Sequence, residues 1–125
     1  MKNILLVFFL TSFSKVVGQN GTVSLVYTNG DVKIEIKTTS ENCVFTKNEK
    51  NLIMLHTENL DTKMMTFSGK ALRFSEEKPQ TENELLLEVN LADIEEKKDV
   101  YTLRFKYKKN EEFVSGKFEI PIELE

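Results

Sequence analysis

The feature that most constrains this chain is a strict alternation of apolar and polar residues that recurs in segment after segment. Val32, Ile34 and Ile36 alternate with Lys33, Glu35 and Lys37, and Tyr101, Leu103, Phe105 and Tyr107 alternate with Thr102, Arg104 and Lys106. A period of two gives an extended strand one apolar and one polar face, and such faces are hidden by packing sheet on sheet. Asn29-Gly30 is a strong hairpin signal between two such runs. Counting the runs predicts about eight strands: an all-β, two-sheet antiparallel β-sandwich.

The details follow from composition along the chain. Residues 52–55 are continuously apolar, which predicts a strand buried on both faces. Residues 62–67 read as a strand, Ser68-Gly69-Lys70 as a tight turn, and residues 71–74 as the return of that hairpin. Residues 85–89 and 100–108 are strands, and 118–124 a last strand that Pro121 confines to a sheet edge or bulge. Residues 91–98 carry Leu91 and Ile94 amid charge and suit one short helical turn. The polar loops 39–50, 75–83 and 108–116 are where function on such a scaffold is expected.

The first eighteen residues read as a signal peptide. Lys2 gives the positive start, residues 4–10 an unbroken apolar run, and Val16-Val17-Gly18 a small-residue exit, with cleavage expected after Gly18. That run is shorter than the roughly 20 residues a membrane-spanning helix needs, so no membrane insertion is expected after cleavage. The expectation is a secreted, extracellular protein with one domain over residues 19–125.

Without Lys2 and Lys15, fifteen basic residues face twenty acidic ones, a net charge of −5. An acidic surface argues against nucleic acid. Lys97, Lys98, Lys106, Lys108 and Lys109 alternate in sequence with Glu95, Glu96, Glu111 and Glu112, which reads as a charge-mixed solvated surface.

Residues with chemistry are few. Asn20-Gly21-Thr22 is a glycosylation acceptor at Asn20. Cys43 has no second cysteine to pair with and leaves three alternatives: a buried small hydrophobe, an intermolecular disulfide, or a nucleophile. Its place before Val44-Phe45 favours burial. His56, the single histidine, is expected to be structural at the end of a buried strand. A Cys43–His56 nucleophile pair has nothing to orient it. No metal or cofactor site is expected.

Taken together, Gly30-Asp31-Val32-Lys33-Ile34-Glu35-Ile36, Asn51-Leu52-Ile53-Met54-Leu55-His56 with Asn59-Leu60, the leucines at 85–87 and Tyr101-Thr102-Leu103 with Phe105 and Tyr107 carry a resemblance. The chain resembles the N-terminal β-domain of zinc metallopeptidases of the aminopeptidase N family, occurring alone. Ser115-Gly116-Lys117-Phe118 is similar to that domain's Ser-Gly-Phe-Tyr step. The His-Glu-x-x-His helix and the Gly-x-Met-Glu-Asn segment of the family's catalytic domain have no counterpart here. The resemblance implies a non-catalytic binding or accessory module, not an enzyme, with a protein or peptide partner such as a peptidase, as a monomer or weak dimer. A structural or self-associating surface protein and an immunoglobulin-like adhesion fragment are the alternatives. The last lacks its cysteine pair and tryptophan.

Overall fold

A computed structural model of the chain describes residues 11–18, 21–93 and 99–123. Ten strands occur in order: β1 (Thr11–Val17), β2 (Val23–Asn29), β3 (Val32–Thr38), β4 (Phe45–Thr46), β5 (Lys50–Glu58), β6 (Met65–Ser68), β7 (Leu72–Phe74), β8 (Glu84–Asn90), β9 (Val100–Lys109) and β10 (Glu112–Glu123). They form a six-stranded sheet, β1-β2-β3-β5-β8-β7, and a four-stranded sheet, β4-β10-β9-β6. The all-β sandwich expected from the alternation is therefore the fold. Its pairing is antiparallel except where two residues of β4, Phe45 and Thr46, lie parallel to Ile122 and Glu123 of β10. The strand beyond the expected set is β1, drawn from the leader residues.

The inner faces meet in one core. Ile34 and Ile36 of β3, Ile53 of β5, Leu87 and Val89 of β8, Leu103 of β9 and Ile120 of β10 are all at most 1% exposed. Fully burying each such side chain contributes roughly 1.5–3 kcal/mol. Two polar arrangements are folded into this apolar layer. Tyr27 and Tyr107 bring their hydroxyl oxygens 3.1 Å apart from opposite sheets, and Asn29 Nδ2 donates to both, at 3.3 and 3.2 Å. Asn51 likewise closes the β4–β5 corner, accepting from Thr46 N–H and donating to the carbonyls of Thr46 and Glu49.

Turn chemistry agrees with the sequence in one hairpin and departs from it in two places. The β2–β3 hairpin forms at the expected Asn-Gly, but its central pair is Gly30-Asp31 and Gly30 alone has positive φ (64°), a type II′ pattern set one residue later than the type I′ turn that a central Asn-Gly pair makes. The segment 68–71 makes no hairpin. β6 pairs with β9 in one sheet and β7 with β8 in the other, so Gly69-Lys70-Ala71 carries the chain across the sandwich. The crossing is pinned because Tyr101 Oη donates to the Lys70 carbonyl (2.8 Å) and sits where a side chain at 69 would begin. Instead, a hairpin forms at 110–111, inside the expected loop 108–116, with Asn110 and Glu111 at φ 52° and 67°, a type I′ turn.

Other expectations are revised by packing. β5 is not buried on both faces: Met54 is 43% exposed while Ile53 and Leu55 are buried. It is β8 that is covered twice, with Leu86 and Glu88 buried on its outer side. Ser75 N–H extends the β7–β8 ladder to the Leu86 carbonyl, and on the outer side Lys78 comes near Glu84 (3.5 Å). Arg73 Nε reaches Glu88 at 2.8 Å. Residues 62–64 form a 3₁₀ turn capped by the Asp61 side chain and not the start of a strand. The helical turn near 91–98 is present as a 3₁₀ turn at Leu91–Asp93; residues 94–98 lie outside the described residues. Pro121 falls where β10 is flanked by β9 alone until β4 joins at Ile122, so its missing N–H breaks no ladder bond toward a second neighbour. Among the described residues no helix is long and apolar enough to cross a membrane.

Candidate functional site

The outer face of the four-stranded sheet concentrates positive charge. Burying Tyr101, Leu103, Phe105 and Tyr107 on the inner side of β9 forces Arg104, Lys106 and Lys108 outward. Cross-strand register adds neighbours to each: Lys117 and Ser68 flank Arg104, Ser115 and Thr66 flank Lys106, and Phe113 faces Lys108. Alternate residues on a strand lie about 6.5–7 Å apart, so the three β9 cations form a row about 13 Å long. Phe113 is 69% exposed, with the Lys106 and Lys108 ammonium groups 5.1 and 5.8 Å from its ring centroid. Glu119, 3.9 Å from Lys117 at the edge of the cluster, and Glu123 further along β10 are carboxylates on this side.

The charges mixed along the sequence are thus sorted by the sheet. Glu111 and Glu112 sit at the hairpin turn, and Lys109 leaves the row to meet Asp31 at 2.9 Å, a contact that lowers the Asp31 carboxyl pKa. Residues 95–98 of the mixed runs lie outside the described residues. A surface expected to be charge-mixed is, on this face, basic and aromatic.

The face continues into a cleft of about 300 Å³ at the end of the sandwich, where Lys47 and Lys70 join Arg104 around an apolar floor of Leu91, Val100 and Ile122. Tyr101 walls it. Burial pushes the Tyr101 phenol up to about 12, so at neutral pH it is a neutral donor, spent on the Lys70 carbonyl. Beneath the row, Gly116 lets the Phe105 ring approach the backbone: a Cβ there would stand 2.5 Å from Phe105 Cζ.

The residues singled out in the sequence do not assemble into a catalytic centre. Cys43 is 1% exposed, and its thiol donates to the Ile36 carbonyl at 3.7 Å. Burial raises its pKa, the reverse of what a nucleophile needs. A disulfide to a second chain requires that the buried bend between β3 and β4 open. His56, expected as a structural residue at the end of a buried strand, projects from the exposed outer face of β5, in register with Glu35 and Glu84. Asn20 lies outside the described residues. Among the described residues no three His, Cys, Asp or Glu side chains gather as metal ligands.

The period-two reading of β9 already places Arg104 and Lys106 opposite the aromatic core face. What it does not supply is the register that brings Lys117 and Phe113 beside them, because Asn110-Glu111 is not a usual I′ turn pair. Compared with known proteins, the chain matches no family model, no curated protein and no solved structure.

Proposed function

We propose that this protein is a secreted, non-catalytic binding module that holds an acidic segment of a protein partner across the outer face of β6, β9 and β10. One observation carries the reading: a chain of net charge −3 gathers Arg104, Lys106, Lys108 and Lys117 around an exposed phenylalanine on one sheet face. An extended acidic peptide has the matching period, since carboxylates on alternate residues repeat every 6.5–7 Å, as the β9 cations do. Phe113 supplies the apolar contact such interfaces use at their centre. The leader-like start supports a site of action outside the cell. The sequence likeness to aminopeptidase N-terminal domains supports an accessory role beside a peptidase.

The test is affinity capture from the extracellular fraction with paired baits, the wild-type chain and the triple variant Arg104→Glu/Lys106→Glu/Lys108→Glu. Exposed ion pairs contribute about 0.5–1 kcal/mol each, so the triple reversal weakens binding by roughly 10–100-fold, and added salt does the same to wild type. Equal capture by both baits, or capture insensitive to salt, overturns the assignment.

A further inference from the structure

The edge strand β1 is made of residues that the leader reading removes. Thr11–Val17 pairs with β2 over seven positions, from Thr11 opposite Asn29 to Val17 opposite Val23. On the inner side Phe13 lies against Tyr27, with centroids 4.9 Å apart, and meets Phe118 of the other sheet edge-on at 5.7 Å. Cleavage after Gly18 takes all of this away. β2 then becomes the sheet edge, its outward N–H and C=O groups lose their partners, and the strip over Leu25, Tyr27 and Phe118 is laid open.

An edge of that kind is normally defended by shortness, charge, proline or a bulge. The other edge strands follow the rule: β7 has three residues and carries Arg73, β6 has four, and β4 has two. β2 reads Val-Ser-Leu-Val-Tyr-Thr-Asn, seven residues with no charge and no proline. In a chain cleaved after Gly18, residues 19–22 lead directly into Val23.

The β2 sequence is complementary to itself. Laid antiparallel about Val26, Leu25 of one copy faces Tyr27 of the other on the inner side, Val26 faces Val26, and Ser24 faces Thr28 on the outer side. Leu25 then fills the place opposite Tyr27 that Phe13 holds in the unprocessed chain, and no like charges meet. We infer that removal of the leader converts the protein into a two-fold dimer through β2–β2 pairing, joining two five-stranded sheets into one. The inference rests on the secretory part of the proposed function and adds a processing-dependent assembly to it.

The full-length gene is expressed through a secretory route, the product's N-terminus is read by intact mass, and its size is measured by sedimentation. The expected product begins at Gln19 and is a dimer. Val26→Lys raises its dimer dissociation constant at least tenfold, because two lysines face each other across the axis. Within one copy that lysine lies in register with Glu35 of β3, which keeps the fold, as circular dichroism checks. A synthetic peptide of residues 11–17 is a second perturbation that leaves the chain untouched, and it splits the dimer by retaking its place on β2. A monomer beginning at Gln19 overturns the inference, even one that takes up the peptide. So does a product that retains residues 11–17, or a dimer indifferent to both perturbations. A monomeric wild-type product beginning at Gln19 that still captures the acidic partner sinks this inference alone; a dimer whose capture ignores the triple reversal sinks the binding site alone.

Discussion

Alkaline pH tests whether Tyr101 is the buried pin the structure makes it. Its ring is 5% exposed and its hydroxyl donates to the Lys70 carbonyl where the chain crosses between sheets. Burial raises the phenol from 10.0 to about 12. The folded chain therefore keeps a proton that the unfolded chain releases, so this contribution is intact below pH 10 and is lost as pH rises from 10 through 12. Each pH unit in that window removes about 1.4 kcal/mol, or about 2–3 kcal/mol in all. Tyr107, whose pKa burial also raises, acts in the same direction.

Urea unfolding followed by circular dichroism at about pH 8 and about pH 11 measures the loss. With three tyrosines and no tryptophan, tyrosinate absorbance reports ionisation without interference. Tyr101→Phe is less stable than wild type at pH 8 by about 1 kcal/mol, for the lost hydrogen bond, yet loses about 1 kcal/mol less between the two pH values. The two stabilities converge. If wild type and Tyr101→Phe fall in parallel, Tyr101 does not titrate with unfolding and the argument fails.

Two further substitutions probe the hairpin beneath the basic face. Gly116→Ala pushes a methyl group into the Phe105 ring and destabilises by roughly 1–3 kcal/mol, read as a lower urea midpoint with unchanged slope. Glu111→Gly relieves a left-handed residue at φ 67° and stabilises by roughly 0.5–1 kcal/mol, seen as a higher melting temperature.

Much of the fold was legible because period-two patterning is a local property. Burial alternates along β3 and β9 as their residues do, and a hairpin forms at Asn29-Gly30 with Gly30 at positive φ. The misreadings arise where distant partners override local signals. Ser68-Gly69-Lys70 has turn composition, yet Tyr101, 31 residues beyond Lys70, claims that space and routes the chain to the other sheet. The apolar run 52–55 looked doubly buried, but it is β8 whose outward residues, Leu86 and Glu88, are buried. His56, read at the end of a buried strand, is exposed because it stands one residue beyond buried Leu55, on the opposite face of β5.

The candidate site divides in the same way. Alternation alone sends Arg104, Lys106 and Lys108 to one side of a strand. Their meeting with Lys117, Phe113, Ser115 and Thr66 depends on the pairing of β10 and β6 with β9, which no local pattern encodes. Residue identity and a period of two suffice for an all-β chain, the inner residues of its longest strands and the scarcity of reactive side chains. Which strands are neighbours, where the chain changes sheets and which charges share a face emerge only when the chain folds. Those depend on contacts between residues far apart in the chain, where packing of the whole core selects one register among many that the local pattern permits.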